Sequence, residues 1–503
     1  MMNEGALHDI PEGWVWTRLG EIGEIVTGNT PSKSRSEFYG NDFPFFKPTD
    51  LNHGYYVKKA GDGLSRQGIE RARLLPANSV LVTCIGATIG KTGFIRVEGA
   101  SNQQINAIIP EKYVLPEFIY FISISPQFQK SIIDNASATT LPILNKSKFE
   151  FLRLPIPPLP EQRVVVSKIE QLFSDLDNGI ENFKKAQAQL KLYRQSVLKA
   201  ACEGKLVPTE AELARAQGRT TTEAADVLLA RILKERREKW NGKGKYKEPA
   251  SPIIKAPNLP EGWCCVTFDQ IGKWSGGGTP STENSSYWVN GNIPWISPKD
   301  MKCLKIHESE DKITDLALEN SSANLIPASS ILFVVRSGIL KRTLPVALTM
   351  VDAAVNQDIK SLTPHAPIDA NYLLVTALAF NEAIRYSCAK AGTTVESIEV
   401  PALQMYAIPL PPLAEQRRIV AEVERRLSVC DKMEATITES LQKAESLRQS
   451  ILKKAFEGKL LNKKEMEKAR NASDWEPAEK LLERIRQEKQ IKEKNNKTAR
   501  RIK

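Results

Sequence analysis

The chain contains the same text twice. Pro11-Glu12-Gly13-Trp14 returns as Pro260-Glu261-Gly262-Trp263, 249 residues on, and Thr30-Pro31-Ser32 returns at the same distance as Thr279-Pro280-Ser281. Pro44, Pro48 and Asp50 become Pro294, Pro298 and Asp300, a step of 250. Leu75-Pro76-Ala77 matches Ile326-Pro327-Ala328 at 251, and Asn102-Gln103 matches Asn356-Gln357 at 254. The step then holds at 254. Pro155-Ile156-Pro157-Pro158-Leu159-Pro160-Glu161-Gln162-Arg163 becomes Pro409-Leu410-Pro411-Pro412-Leu413-Ala414-Glu415-Gln416-Arg417. Arg194-Gln195-Ser196 and Glu203-Gly204-Lys205-Leu206 become Arg448-Gln449-Ser450 and Glu457-Gly458-Lys459-Leu460. A last echo sets Leu228-Leu229-Ala230-Arg231-Ile232 against Leu481-Leu482-Glu483-Arg484-Ile485 at 253. Blocks repeated in unbroken order mean duplication, which constrains the fold before any short motif does.

Each copy divides into two parts. The first, 1–155 and 259–409, is rich in Gly, Pro, aromatics and short apolar runs such as Val80-Leu81-Val82 and Ile331-Leu332-Phe333-Val334-Val335. Such runs predict short strands in a mixed α/β domain. The second part opens on prolines, which hold a chain extended and do not belong in a helix interior. A long helical pattern follows. In the first copy Ile169, Leu176, Phe183, Leu190 and Val197 lie seven apart, with Leu172, Gly179, Ala186 and Tyr193 in the complementary position. In the second, Val423, Cys430, Ile437, Ala444 and Ile451 fill one position and Arg426, Met433, Ser440 and Leu447 the other. This is an a/d heptad seam, more polar in the second helix. Gly204 and Gly458 stand where helix-ending glycines belong.

A stripe of this length needs a partner helix, and the other copy supplies one. The pseudo-twofold relation of a duplicated unit makes the pair antiparallel. The expected order is a first recognition domain (1–155), a proline lead-in with a spacer helix (156–206), a short helix and linker (207–258), a second recognition domain (259–409), a second lead-in and helix (410–460), and a charged helical tail (461–503). Within the linker a helical run from Glu223 to Trp240 precedes the Gly/Lys stretch Asn241-Gly242-Lys243-Gly244-Lys245. The tail, rich in Lys, Glu and Arg, reads as a partly frayed helix with a solvated face.

At 503 residues the chain exceeds a single core. Its net charge of +11 favours a polyanionic partner, nucleic acid before anionic membrane. Seven scattered cysteines without a CxxC pair, and four scattered histidines, argue against disulfide frameworks and metal clusters. The stretch from Met1 to Gly13 lacks the basic flank and apolar run of a signal peptide, and nothing is long and apolar enough to span a membrane. The expectation is a soluble, cytoplasmic protein.

One stretch, Gly86-Ala87-Thr88-Ile89-Gly90-Lys91-Thr92, imitates a phosphate-binding P-loop but has three residues between its glycines where that motif needs four. It suits a tight turn chosen for geometry, or close approach of Thr88, Lys91 and Thr92 to a DNA phosphate. No metalloprotease, nucleophile-elbow, kinase or dinucleotide motif occurs. Asn and Gln can pair with adenine, and Arg or Lys with guanine. That makes Asn102, Gln103, Gln104, Asn356 and Gln357 candidates. Residues kept in both copies can equally serve the fold or bind backbone, whereas residues reading different bases should differ. Arg336, Lys341 and Arg342, opposite Thr83 to Thr92, are therefore the better base readers. Lys33, Lys47 and Lys299 are candidates that can equally be ordinary surface lysines.

The two recognition domains, each opening on Pro-Glu-Gly-Trp and each followed by a Pro-Pro-Leu-(Pro/Ala)-Glu-Gln-Arg lead-in to a helix ending in Glu-Gly-Lys-Leu, resemble the specificity subunit of type I restriction–modification systems. The resemblance covers essentially the whole chain. It implies two target-recognition domains held apart by an antiparallel helical spacer, each reading one half of an asymmetric bipartite site in double-stranded DNA. It implies no cofactor in this chain. Two modification subunits using S-adenosylmethionine would methylate adenine at N6, and two restriction subunits using ATP and Mg would translocate and cleave DNA. A fused methyltransferase would need an Asp/Asn-Pro-Pro-Tyr/Phe motif, and the Pro-Pro pairs at 157–158 and 411–412 sit between aliphatic residues instead. The alternatives are a coiled-coil adaptor without DNA contact, or the recognition part of a different methyltransferase assembly.

Overall fold

The structure, a computed structural model, describes residues 9–137, 141–219, 223–240, 245–252, 258–390 and 395–502, with 492–502 by backbone alone. The first eight residues, and the run 241–244 named above within the linker, lie outside the described residues. The fold is mixed α/β, and the chain divides into two compact units. Unit 1 comprises residues 1–184 and 438–503, and unit 2 residues 185–437. The division falls inside two helices of 44 residues, Leu159–Cys202 and Leu413–Phe456.

In unit 1 an antiparallel sheet runs in the order Gly23–Thr27, Ile105–Pro110, Val80–Thr83, Thr92–Phe94. Beside it lies a sheet of Asp62–Leu64, Tyr39–Phe46 and Ala100–Ser101. Unit 2 repeats the plan. Gly272–Gly276, Ile359–Pro364, Ile331–Val334, Val346–Thr349 and Lys305–Ile306 form one sheet. Asp311–Ile313, Ile293–Ile296, Ala353–Val355 and Leu325–Ile326 form the other. The apolar runs noted in the sequence are the strands Val80–Thr83 and Ile331–Val334, buried at every residue. An unalternating run fits a strand covered on both faces.

The long helices pack antiparallel, and the repeated Arg194 and Arg448 show why the sequence specifies it. Arg194 pairs with Asp431 at 2.7 Å and Glu434 at 3.0 Å in unit 2, while Arg448 pairs with Asp177 in unit 1. Arg194 and Arg448 are copies of each other, as are Asp177 and Asp431, so one pair restates the other with the helices exchanged. Ile169, Leu190, Val197, Val423, Cys430, Ile437, Ala444 and Ile451 are buried. The complementary positions depart from the expected seam: Tyr193, Met433 and Leu447 are 43–49% exposed. Leu176 and Phe183 of the first column are half-buried, as are Leu172 and Ala186 of the complementary one. Gly204 and Gly458 have φ of 68° and 70°. Lys205 N–H reaches Ala200 O at 2.9 Å and Lys459 N–H reaches Lys454 O at 2.8 Å, closing each helix in a Schellman motif.

The tail differs from the solvated face expected of it. The helix Ala478–Ile502 buries Ala478, Leu481, Leu482 and Ile485, an i, i+3, i+4, i+7 stripe, in the core of unit 1. Its counterpart Ala225–Glu238 buries Ala225, Leu228 and Ile232 in the core of unit 2. Each helix starts against the glycine of a Pro-Glu-Gly-Trp block: Ala478 N–H donates to Gly13 O, and Ala225 N–H to Gly262 O, both at 2.9 Å. Charge counting missed this because four apolar residues among many Lys and Glu barely alter composition, although their spacing defines a face.

Candidate nucleic-acid interface

The residues shared by both copies form sockets. In unit 1 the buried Glu161 carboxylate accepts from Trp14 Nε1 at 2.6 Å and Trp475 Nε1 at 3.0 Å. In unit 2 the equivalent Glu415 accepts from Trp263 Nε1 at 2.9 Å and Glu210 N–H at 3.0 Å. Burial pushes the Glu415 carboxyl above the usual carboxylate range, against the lowering effect of these donors and of Arg418. The neighbouring Gln162 accepts from Leu115 N–H at 3.0 Å and donates to Pro157 O at 3.0 Å. Gln416 does the same with Asp369 N–H and Pro411 O. Buried polar groups are costly unless bonded, so the Trp and Glu-Gln blocks had to be duplicated together.

Asp50 and Asp300 are likewise structural. Asp50 accepts from Lys47 N–H at 2.7 Å and Gly61 N–H at 3.0 Å, and Asp300 from Ser297 N–H at 2.8 Å and Glu310 N–H at 3.0 Å. Asn102 and Asn356 are buried and fold back on their own turns, Asn102 to Gln104 and Asn356 to Asp358 N–H. Thr92 is buried too, its hydroxyl donating to Gly90 O at 2.9 Å. Both ends of the Asn102 amide, the Asn356 carbonyl oxygen and the Thr92 hydroxyl are thus used inside the fold.

The other candidates stand at the surface. Gln103 and Gln357 are exposed, each accepting a hydroxyl from the repeated threonine, Thr30 or Thr279. Gln104 is half-buried beside Gly86. Lys33 is exposed. Lys47 pairs with Asp62, and Lys299 with Asp311 at 2.8 Å and Glu310 at 3.3 Å. Arg336 donates from Nε to Asp358 at 2.7 Å, which ties it to the Asn356–Gln357 turn.

The hairpin loops differ most. In unit 1 the loop between Val80–Thr83 and Thr92–Phe94 turns on Gly86 (φ 98°) and Gly90 (φ 86°). Its N–H groups at Gly86, Ile89, Gly90 and Lys91 bond to Pro142, Gly86, Thr83 and Thr88 carbonyls. A phosphate cradle needs such groups free, so the P-loop likeness ends there and the loop offers the side chains of Thr88 and Lys91. Gln129 braces it, donating to Gly90 O at 2.8 Å. In unit 2 the loop between Ile331–Val334 and Val346–Thr349 exposes Arg336, Lys341 and Arg342. It is braced by Asn381 and Arg385 from the helix Asn381–Ser387. Sequence reading missed Gln129, Asn381 and Arg385, since none belongs to a repeated block.

The sequence matches the type I restriction modification DNA specificity domain twice, over residues 11–187 and 260–443. The chain belongs to this family. It is 44% identical over 183 residues to the EcoR124I/EcoR124II specificity subunit of Escherichia coli, covering 36% of this chain and 44% of that one. Identity to the HindI specificity subunit of Haemophilus influenzae is 36% over 177 residues, 34% of this chain and 38% of that one. Both matches thus span less than half of the relative. The EcoKI specificity subunit of Escherichia coli K12 aligns over 95% of this chain and 96% of its own length at 23% identity. Among solved structures, a chain from work on complex assembly and conformational transition of the type I R-M system superposes with a TM-score of 0.64. It is 18% identical and covers 90% of this chain and 100% of its own. The HsdS subunit of Thermoanaerobacter tengcongensis gives 0.54 at 19% identity, covering 91% and 100%. At such identities the structures establish the shared fold. Among the described residues of this specificity-family chain, no group of acidic, His and Cys side chains is placed to hold a metal ion, and no helix is long and apolar enough to cross a membrane.

Proposed function

We propose that this chain is the DNA-reading specificity subunit of a type I restriction–modification complex, each unit reading one half of an asymmetric bipartite site. It performs no chemical step itself. It brings two modification subunits to adenines that they methylate at N6 with S-adenosylmethionine, or two restriction subunits that cleave with ATP and Mg. The observation that carries this reading is the contrast within the duplication. The Trp–Glu bond and the Gln bonds recur in both units, while the hairpin loops carry Thr88 and the half-buried Lys91 in one and exposed Arg336, Lys341 and Arg342 in the other. One scaffold with two different exposed surfaces fits an asymmetric target, because base-edge contacts specify sequence while shared contacts position the protein. The buried Asn102, Asn356 and Thr92 belong to the scaffold in this reading, and Gln103 and Gln357, presented alike in both units, suit DNA backbone.

Methylome sequencing of the host with and without the gene tests the reading. The expected result is a bipartite, asymmetric N6-methyladenine motif that disappears on deletion. An unchanged methylome, with the partner genes expressed, overturns it. Exchanging residues 1–155 for another recognition domain is expected to change one half of the motif only.

A further inference from the structure

The loop of unit 2 from Ser337 to Leu344 has only a short 3-10 turn of its own, Gly338–Lys341. Its internal backbone bonds are Leu340 N–H to Ser337 O at 3.1 Å, and Arg342 and Thr343 N–H to Ile339 O at 2.9 and 3.1 Å. Ser337 N–H also donates to Glu396 O at 3.1 Å, and two side chains from one short helix hold the far end of the loop. Asn381 accepts from Leu344 N–H at 3.3 Å and donates to Leu344 O at 2.6 Å. Arg385 donates from one terminal nitrogen to both Leu340 O and Lys341 O, each at 3.2 Å. Four residues apart, they share a helix face, and together they hold four backbone groups. The guanidinium of Arg385 lies 4.2 Å from the ring centroid of Tyr386, which steadies it further. Held from beneath, the loop turns Ile339, Lys341 and Arg342 outward.

We propose that Asn381 and Arg385 are specificity-determining positioning residues: a backbone clamp that sets where Lys341 and Arg342 meet the DNA. This inference rests on the reading above and adds residues that touch no base. The physical reason is that a bidentate base contact discriminates only when its donors are held in register, and a displacement near 1 Å forfeits much of it. Unit 1 holds its loop by other means: glycine turns shape it, and a single side chain, Gln129, donates to Gly90 O.

The test uses the full chain assembled with its modification subunits, measuring methylation of a cognate duplex and of duplexes carrying single-base changes in either half. Arg385→Ala and Asn381→Ala are expected to lower discrimination in the half read by unit 2 by roughly tenfold, with the other half unchanged. Arg385→Lys, which can keep one of the two carbonyl bonds, should fall between. A merely structural role would lower methylation of all duplexes together, or lower the melting temperature with discrimination intact, and either result overturns the clamp. Replacing Lys341 and Arg342 by Ala separates the two ideas. If that double change alters the motif while Arg385→Ala does not, the clamp fails and the DNA reading stands. If neither change alters it, the assignment of this loop to DNA fails as well.

Discussion

Glu170 and Glu424 occupy the same turn of the two long helices, 254 residues apart, yet different groups meet them. In unit 1 the Tyr55 hydroxyl donates to Glu170, and in unit 2 the Lys305 ammonium lies 2.8 Å from Glu424. Burial, then the hydrogen bond to Glu170, raises the Tyr55 phenol above its ordinary value, so it stays a donor throughout the working range. Duplication thus preserved a carboxylate on the helix and left the globular part free to find its own donor. The Trp–Glu sockets show the same freedom one layer deeper: Glu161 collects a second indole, Trp475, where Glu415 collects a main-chain N–H. What the two units share is the acceptor on the helix, and what they vary is the group that reaches it.

The apolar stripes behind the sockets should show equality between the units, and with the largest effect. Leu481 and Leu228 are 1% and 0% exposed in matching positions. Leu481→Ala and Leu228→Ala are each expected to cost about 3 kcal/mol in urea unfolding. A cost below about 0.5 kcal/mol, typical of surface positions, for Leu481 alone would return the tail to solvent and break the equivalence. The sockets come next. Glu161→Ala strands two indole N–H groups and Glu415→Ala one indole and one main-chain N–H, so each should cost about 2 kcal/mol. Trp475→Phe should remove part of this in unit 1, and has no counterpart in unit 2.

The carboxylate fastenings should then separate the units by salt. Lys305 and Glu424 are 40% and 54% exposed, so Lys305→Ala is expected to cost about 0.5 kcal/mol in dilute buffer and nothing measurable in 1 M salt. Tyr55→Phe is expected to cost about 1 kcal/mol in both. Equal salt dependence for the two would mean that both fastenings act through charge alone.

How much of this was legible follows from what repeats record. Repeated blocks announced the antiparallel helices, and the sockets explain why Trp, Glu and Gln recur together. Apolar runs placed the strands at Val80 and Ile331, and periodicity the column from Val423 to Ile451. The exposure of Tyr193, Met433 and Leu447 was not legible, because heptad spacing marks a face without fixing how closely the partner approaches. Nor was the burial of Asn102, Asn356 and Thr92, since an amide or hydroxyl that closes a turn has the composition of one that meets a base. Asn381 and Arg385 left only an i, i+4 spacing, which many surface helices also carry.

The smallest effect sets Glu415 against its own neutral form. Its folded carboxyl titrates above the ordinary carboxylate value of 4.5, chiefly because burial penalises the charge. The folded state therefore binds the proton more tightly than the unfolded chain does, and stability from this group is greatest below 4.5 and declines as pH rises from there through the folded value. Glu415→Gln removes that dependence: its carbonyl can still accept from Trp263, while its amide faces the Glu210 N–H and forfeits that bond. The wild type should accordingly gain melting temperature relative to Glu415→Gln as pH is lowered from 7 towards 4.5. A relative loss over the same interval would mean that the charged carboxylate is the form the socket prefers, with the Trp263 and Glu210 donors outweighing burial.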